Sequence, residues 1–202
     1  GASLVFNGVS SYATVFSGFD LRSDWTIEAW IKPEEPLTPG GCVLGLQTLS
    51  LQNLLTVAIS ADRAWEVVYG IDEQRIPSAA WTIQPAGLAS PVVHHLSLTH
   101  QAVPSGRRKL QLLLNAIVRA EWFVDARLAD AGRALVLPML LGACHGSLGR
   151  SRGVLRERFF HCHVDELRWW GRALAATDVA TSWSWSGPPA GWPRVAFAGR
   201  SG

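Results

Sequence analysis

Side chains capable of chemistry gather in three places along the 202-residue chain. These are an adjacent acidic pair, Asp165 and Glu166, a run His161-Cys162-His163 preceded by Cys144-His145, and ten scattered tryptophans. Two carboxyl groups roughly 5 Å apart would suit a retaining glycosidase. In an extended segment, however, neighbouring side chains point to opposite faces, so Asp165 and Glu166 are badly placed to share one sugar ring. One carboxylate is left to meet a cation or backbone donors, while the other pairs along its own face with Arg168. Imidazole and thiolate are zinc ligands, and His161 and His163 share a strand face. A structural zinc site needs about four convergent ligands, and the spacing here is not a zinc pattern. Ordinary strand histidines and a buried thiol are therefore expected. A Cys-His catalytic pair could be drawn from Cys162, but three cysteines and six histidines supply many accidental pairs. The chain has no His-Glu-x-x-His, no Gly-x-Ser-x-Gly and no phosphate-binding loop ending in Gly-Lys-Ser/Thr.

Ten tryptophans are many for this length. Some must fill a core, and Trp25 and Trp169 occupy alternating strand positions consistent with burial. Others could offer an apolar face on which a sugar ring stacks. Trp65, Trp81, Trp122, Trp170, Trp183 and Trp185 are the candidates, with packing as the competing role for each.

The elements that must position these groups read as short strands. Leu4 to Phe16 gives two runs separated by Asn-Gly and Ser-Ser, which suit a turn with positive φ. Trp25 to Lys32 alternates strictly, with Trp25, Ile27, Ala29 and Ile31 on one side, and predicts a half-buried antiparallel strand. Pro33, Pro36 and Pro39 end it. Further strands are expected at Cys42 to Gln47, Leu54 to Ser60 and Ala64 to Tyr69, then a less regular excursion from Gly70 to Pro91. His94 to Gln101 and Lys109 to Glu121 form a pair joined by a loop at Pro104 to Arg108, and Val136 to Ala143 is another apolar strand. In Phe159 to Leu174, alternation puts His163, Asp165, Leu167 and Trp169 on one face and Val164, Glu166, Arg168 and Trp170 on the other. Gly171 lets the chain leave the strand. Ala175 to Ser182 favours a short helix started near Thr177 and Asp178. A Trp-, Pro- and Gly-rich tail, 183–202, follows.

Several of these segments resemble one family. Val164-Asp165-Glu166-Leu167-Arg168-Trp169, leading into Arg172-Ala173-Leu174, is similar to the closing motif of LamG-like jelly-roll domains in the concanavalin A-like lectin/glucanase superfamily. Leu4-Val5-Phe6-Asn7-Gly8 resembles that family's opening, with Asn7 where Asp is usual. Trp25-Thr26-Ile27-Glu28-Ala29-Trp30-Ile31-Lys32-Pro33 resembles its second signature. The hairpin built on His94-His95-Leu96-Ser97-Leu98-Thr99 and Leu110-Gln111-Leu112-Leu113-Leu114-Asn115 resembles its third, with Ala116 replacing the usual turn glycine. The resemblance implies an all-β, two-sheet antiparallel jelly-roll sandwich with a short C-terminal helix. One domain is expected over 1–202, with its core at about 4–179.

For function, the resemblance implies a non-catalytic recognition module binding glycan or a protein ligand through its edge loops or one sheet face. The superfamily's glycosidases place their carboxylates as Glu-x-Asp-x-x-Glu or a close variant, and this chain has no such run. The alternative is a structural or assembly domain docking through its Trp-rich surface, in either case within a larger multidomain protein. Related folds hold a structural calcium where the first Asx-Gly turn meets the Asp of the last strand. Asn7, the carbonyl of Gly8 and Asp165 are the implied ligands, oxygen donors that a hard cation accepts. The other reading is that Asn7 builds a turn and Asp165 accepts backbone hydrogen bonds. An extracellular or cell-surface location is likewise implied, with an intracellular one left open.

Composition sets the outer bounds. At 48% hydrophobic and 17% charged residues the chain can bury a sizeable core. A net charge of +2, with Lys32 and Lys109 the two lysines among 18 basic residues, does not indicate nucleic acid. No run approaches the roughly 18 apolar residues of a membrane helix, and no basic-then-apolar leader opens the chain. No Asn-x-Ser/Thr sequon follows Asn7, Asn53 or Asn115. Three cysteines permit at most one disulfide and leave one thiol over.

Overall fold

The computed structural model describes residues 3–17, 22–34, 41–47, 53–59, 65–69, 74–76, 93–125, 137–144 and 158–186. Within them twelve strands form two six-stranded antiparallel sheets, and one helix follows the last strand. The first sheet contains β1 (Leu4–Asn7), β12 (His161–Trp170), β3 (Trp25–Pro33), β8 (His94–Ala102), β9 (Arg107–Leu114) and β10 (Ile117–Asp125), in that spatial order. The second contains β2 (Ala13–Ser17), β11 (Leu137–Leu141), β4 (Cys42–Gln47), β5 (Asn53–Ile59), β6 (Trp65–Tyr69) and β7 (Gln74–Ile76). Helix α1 spans Ala176–Ser186. This is a jelly-roll sandwich. The opening and closing strands are neighbours, with Leu4 opposite Val164 and Asn7 opposite His161.

The sandwich core follows from alternation. Trp25, Ile27, Ala29 and Ile31 of β3 meet Leu44 and Leu46 of β4 and Leu55, Val57 and Ile59 of β5 in one buried cluster between the sheets. Trp25 stacks on His100 at 4.9 Å and on Trp169 at 5.3 Å. The opposite face of β3 was expected to meet solvent, yet Thr26, Glu28 and Trp30 are buried as well. The strand is central, between β12 and β8, and its outer face is covered by the chain that leaves β12.

Three departures from the expected elements have local causes. Lys109 to Glu121 is two strands, because Asn115 and Ala116 both adopt positive φ (53° and 63°) and turn the chain back on itself. β7 lies inside the stretch expected to be irregular; the rest of that excursion, 70–73 and 77–91, falls outside the described residues. In β12 the alternation breaks, because pairing shifts between Asp165 and Arg168 and Glu166 has φ 49°. One extra residue is a β-bulge, and it reverses the facing of everything after it. Cys162, Val164, Leu167 and Trp169 therefore share the core side. His163 and Asp165 are not on the same face as Leu167 and Trp169, which corrects the strict two-residue period.

Candidate functional site

The bulge in β12 and the start of α1 build an open groove on the outer face of the first sheet. Its volume is about 430 Å³. β12 contributes Arg168 and Trp170, the connection contributes Arg172 and Leu174, and α1 contributes Asp178, Thr181 and Ser182. The connection is fixed by one buried hydroxyl: Thr26 Oγ1 accepts from Leu174 N at 2.8 Å and donates to Arg172 O at 3.0 Å. The helix is then pinned by a small apolar cluster of Leu113, Leu174 and Val179, with Ala116 and Trp170 packed against it. Asp178 stands in the first turn, where the helix dipole favours a carboxylate.

Beneath the groove lies Glu28, whose side chain has no exposed surface. Its Oε2 accepts from Trp170 Nε1 at 2.6 Å and from Ser182 Oγ at 3.3 Å. Burial raises its pKa, opposed by those two hydrogen bonds and by Arg168. His95 Nε2 stands 3.7 Å from Glu28 Oε1. Burial, and then Arg168, holds the His95 pKa down to about 4, so the imidazole is neutral at pH 7. Arg168 is clamped from two sides, its Nη1 donating to Ser182 Oγ at 3.0 Å and its Nη2 to Glu166 Oε2 at 2.6 Å. Arg172 and Asp178 face each other at 3.6 Å, both well exposed. The result is an aromatic wall with its edge pinned from below, flanked by a fixed guanidinium, a solvent-facing ion pair and two hydroxyls.

Of the six tryptophans offered by the sequence, Trp170 lines this groove, and Trp183 is half-buried on α1. Trp122 is half-buried against the inter-sheet core. Trp65 must be corrected: it has no exposed surface and stands edge-on to His94 at 5.8 Å, so no ligand ring can reach it. Trp81 lies outside the described residues, and for Trp185 only the backbone position, in α1, is described.

The three implied calcium ligands are not brought together. Asn7 sits opposite His161, four residues along β12 from Asp165, or about 13 Å at the usual rise per residue. Asn7 Oδ1 already accepts from the backbone N–H groups of Val9, Ser10 and Ser11 and from Ser11 Oγ, all within 2.9–3.0 Å. Gly8, at φ 69°, completes that turn. Asp165 Oδ1 accepts from Glu166 N at 2.7 Å and so holds the bulge. The His161-Cys162-His163 run divides across the sheet, Cys162 entering the core as a buried thiol while His161 and His163 stay half-exposed. Among the described residues no group of three or more His, Cys, Asp or Glu side chains is placed to hold a metal ion.

The sequence pointed to Trp170 and to the Arg168–Glu166 pair, but not to Glu28, Arg172, Asp178, Thr181 or Ser182. Glu28 carries a usable signal, an acidic residue between the apolar Ile27 and Ala29 of β3.

No family model and no curated protein matches the sequence. Solved structures do. A Trypanosoma rangeli sialidase in complex with 2,3-difluorosialic acid superposes with a TM-score of 0.59 at 16% identity, over 89% of this chain and 27% of that one. A putative carbohydrate binding protein from Bacteroides ovatus gives 0.54 at 20% identity, over 88% of this chain and 47% of that one. A native heptameric SAP-like pentraxin from Limulus polyphemus gives 0.57 at 12% identity, over 88% and 79%. At these identities the likeness shows the fold, a concanavalin A-like jelly roll. The chain spans about a quarter of the sialidase and about half of the Bacteroides protein.

Proposed function

We propose that the chain is a LamG-like, non-catalytic recognition module that binds a glycan in the groove between β12 and α1. The observation that carries this reading is the placement of Trp170. Its indole lines an open groove while its Nε1 is committed to a buried carboxylate, so the ring is held ready and loses little freedom when a ligand arrives. Sugars need an apolar ring face beside convergent polar groups, and Arg168, Asp178 and Thr181 supply the latter. The adjacent carboxylates Asp165 and Glu166 do not form a hydrolytic pair, because the first holds the bulge and the second holds Arg168. The neighbour described as a putative carbohydrate binding protein is compatible with this role. We read the module as one part of a larger extracellular or cell-surface protein.

A second reading rests on a different surface. Among the described residues β10 stands at the edge of the first sheet, and its Ile117, Val118 and Phe123 are 49%, 41% and 45% exposed. An apolar edge of this kind suits docking onto a protein neighbour in an assembly. A glycan array run with and without calcium, beside a pull-down with the same chain, separates the two. Glycan signals reduced by Arg172→Ala and Thr181→Ala support the groove. Glycan silence together with partner capture abolished by Phe123→Ser supports the edge.

A further inference from the structure

The second sheet carries a pair of cysteines that neither reading uses. Cys42 stands on β4 opposite Ala58 of β5. After β11 the chain turns at Gly142, with φ +74°, and returns beside the same strand. A Cβ built on Gly45 would lie only 3.0 Å from the Cβ of Cys144. The missing side chain at Gly45 is thus the space that Cys144 occupies. Cys42, Ala58 and Cys144 form a small buried cluster of their own, apart from the core between the sheets. Both cysteines are 0% exposed. Cys42 Sγ–H donates to Leu44 O at 3.3 Å. The third cysteine, Cys162, is buried in the inter-sheet core.

From this juxtaposition we infer that Cys42 and Cys144 are a redox pair, closing to a disulfide in the presence of a low-molecular-weight disulfide while Cys162 remains a thiol. The exchange is balanced. One protein thiolate attacks the small disulfide and expels one small thiol; the second protein thiol, losing its proton, attacks the mixed disulfide and expels the other. Two protein thiols are oxidised and one small disulfide is reduced to two thiols. Burial, reinforced by Cys144, holds the Cys42 thiol protonated, so the exchange is slow in the closed fold and proceeds through local opening. Once formed, the bond ties β4 to the chain leaving β11 and closes a long loop, which restricts the unfolded state.

The test equilibrates the full chain with oxidised or reduced glutathione, then unfolds it, labels it with a maleimide and maps the label by mass spectrometry. The expected result is one label after oxidation, on Cys162, against three after reduction, with a Cys42–Cys144 peptide recovered. Cys162→Ala should then give no label after oxidation, and Cys144→Ser should give two. The oxidised wild type should also melt roughly 5 °C or more above the reduced form, a gap absent from Cys144→Ser. Three labels after oxidation, or a disulfide that includes Cys162, would overturn the assignment without touching the groove.

Discussion

The indole Nε1 of Trp170 donates a 2.6 Å hydrogen bond to Oε2 of Glu28, a carboxylate with no exposed surface, across 142 residues of sequence. This contact joins the last strand of the first sheet to its central strand and sets one wall of the groove. Trp170→Phe keeps most of the packing against Leu174 and Val179 but leaves the buried carboxylate short of a donor. It should cost about 1.5–3 kcal/mol, read from urea unfolding. In the Glu28→Gln background the same change should cost less, because the acceptor no longer carries a charge. Equal costs in both backgrounds would mean that the two residues are not coupled.

Three buried histidines should make the fold acid-sensitive. His94, His95 and His100 are each held down to about 4, mainly by burial, against an ordinary value of 6.5. Between pH 6.5 and pH 4 the unfolded chain therefore binds more protons than the folded one, and stability falls as pH drops through that window. By pH 5 the loss should be on the order of 1–2 kcal/mol per histidine. Glu28 works the other way: its raised pKa favours the fold at low pH, and that contribution disappears as pH rises past the folded value. Three groups outweigh one. Urea midpoints at pH 7.5 and pH 5 check this, and equal midpoints would contradict it.

Ala116 is expected to be a suboptimal residue for its own turn. Its φ of 63° is a conformation in which a Cβ is strained and glycine is not. Ala116→Gly should stabilise the chain by about 0.5–1 kcal/mol, after allowance for the extra freedom of glycine in the unfolded state. Thermal unfolding followed by circular dichroism would show the gain as a small rise in Tm.

Two glycines with nearly the same φ should respond differently to alanine. Gly106 (φ +73°) has open space around it, so Gly106→Ala should cost only the conformational term, about 1–2 kcal/mol. At Gly142 (φ +74°) the new Cβ would also lie 2.4 Å from the Phe6 ring. Gly142→Ala should be worse by at least about 1 kcal/mol, because Phe6 belongs to the core and has little room to move. Denaturant unfolding of the two variants side by side measures the difference.

The strands were legible where the two-residue period and the turn residues agreed, as in β3, β4, β8 and β11. β9 and β10 merged because Asn115-Ala116 lacks the glycine that marks a tight turn. The facing of β12 was misread from Glu166 onward, since one inserted residue is invisible to a period-two reading, and glutamate gives no warning of a positive φ. Asn7 and Asp165 were joined by analogy along paired strands. Only the register, Asn7 against His161, shows how far apart they lie. Trp170 was named among the aromatic candidates. Its partner Glu28 could not be, because the pairing depends on β12 and β3 becoming neighbours and on α1 covering them both. Thr181 and Ser182 carry no local pattern at all.

Calorimetric titration of the strongest array ligand against the wild type, Thr181→Tyr and Phe123→Ser tests the central claim most directly. Thr181 lines the groove and is exposed, so tyrosine there should fill the site without disturbing Glu28. The account predicts that Thr181→Tyr lowers affinity at least about tenfold at unchanged Tm, while Phe123→Ser binds as the wild type does. Undiminished binding by Thr181→Tyr would place the ligand elsewhere and contradict the account.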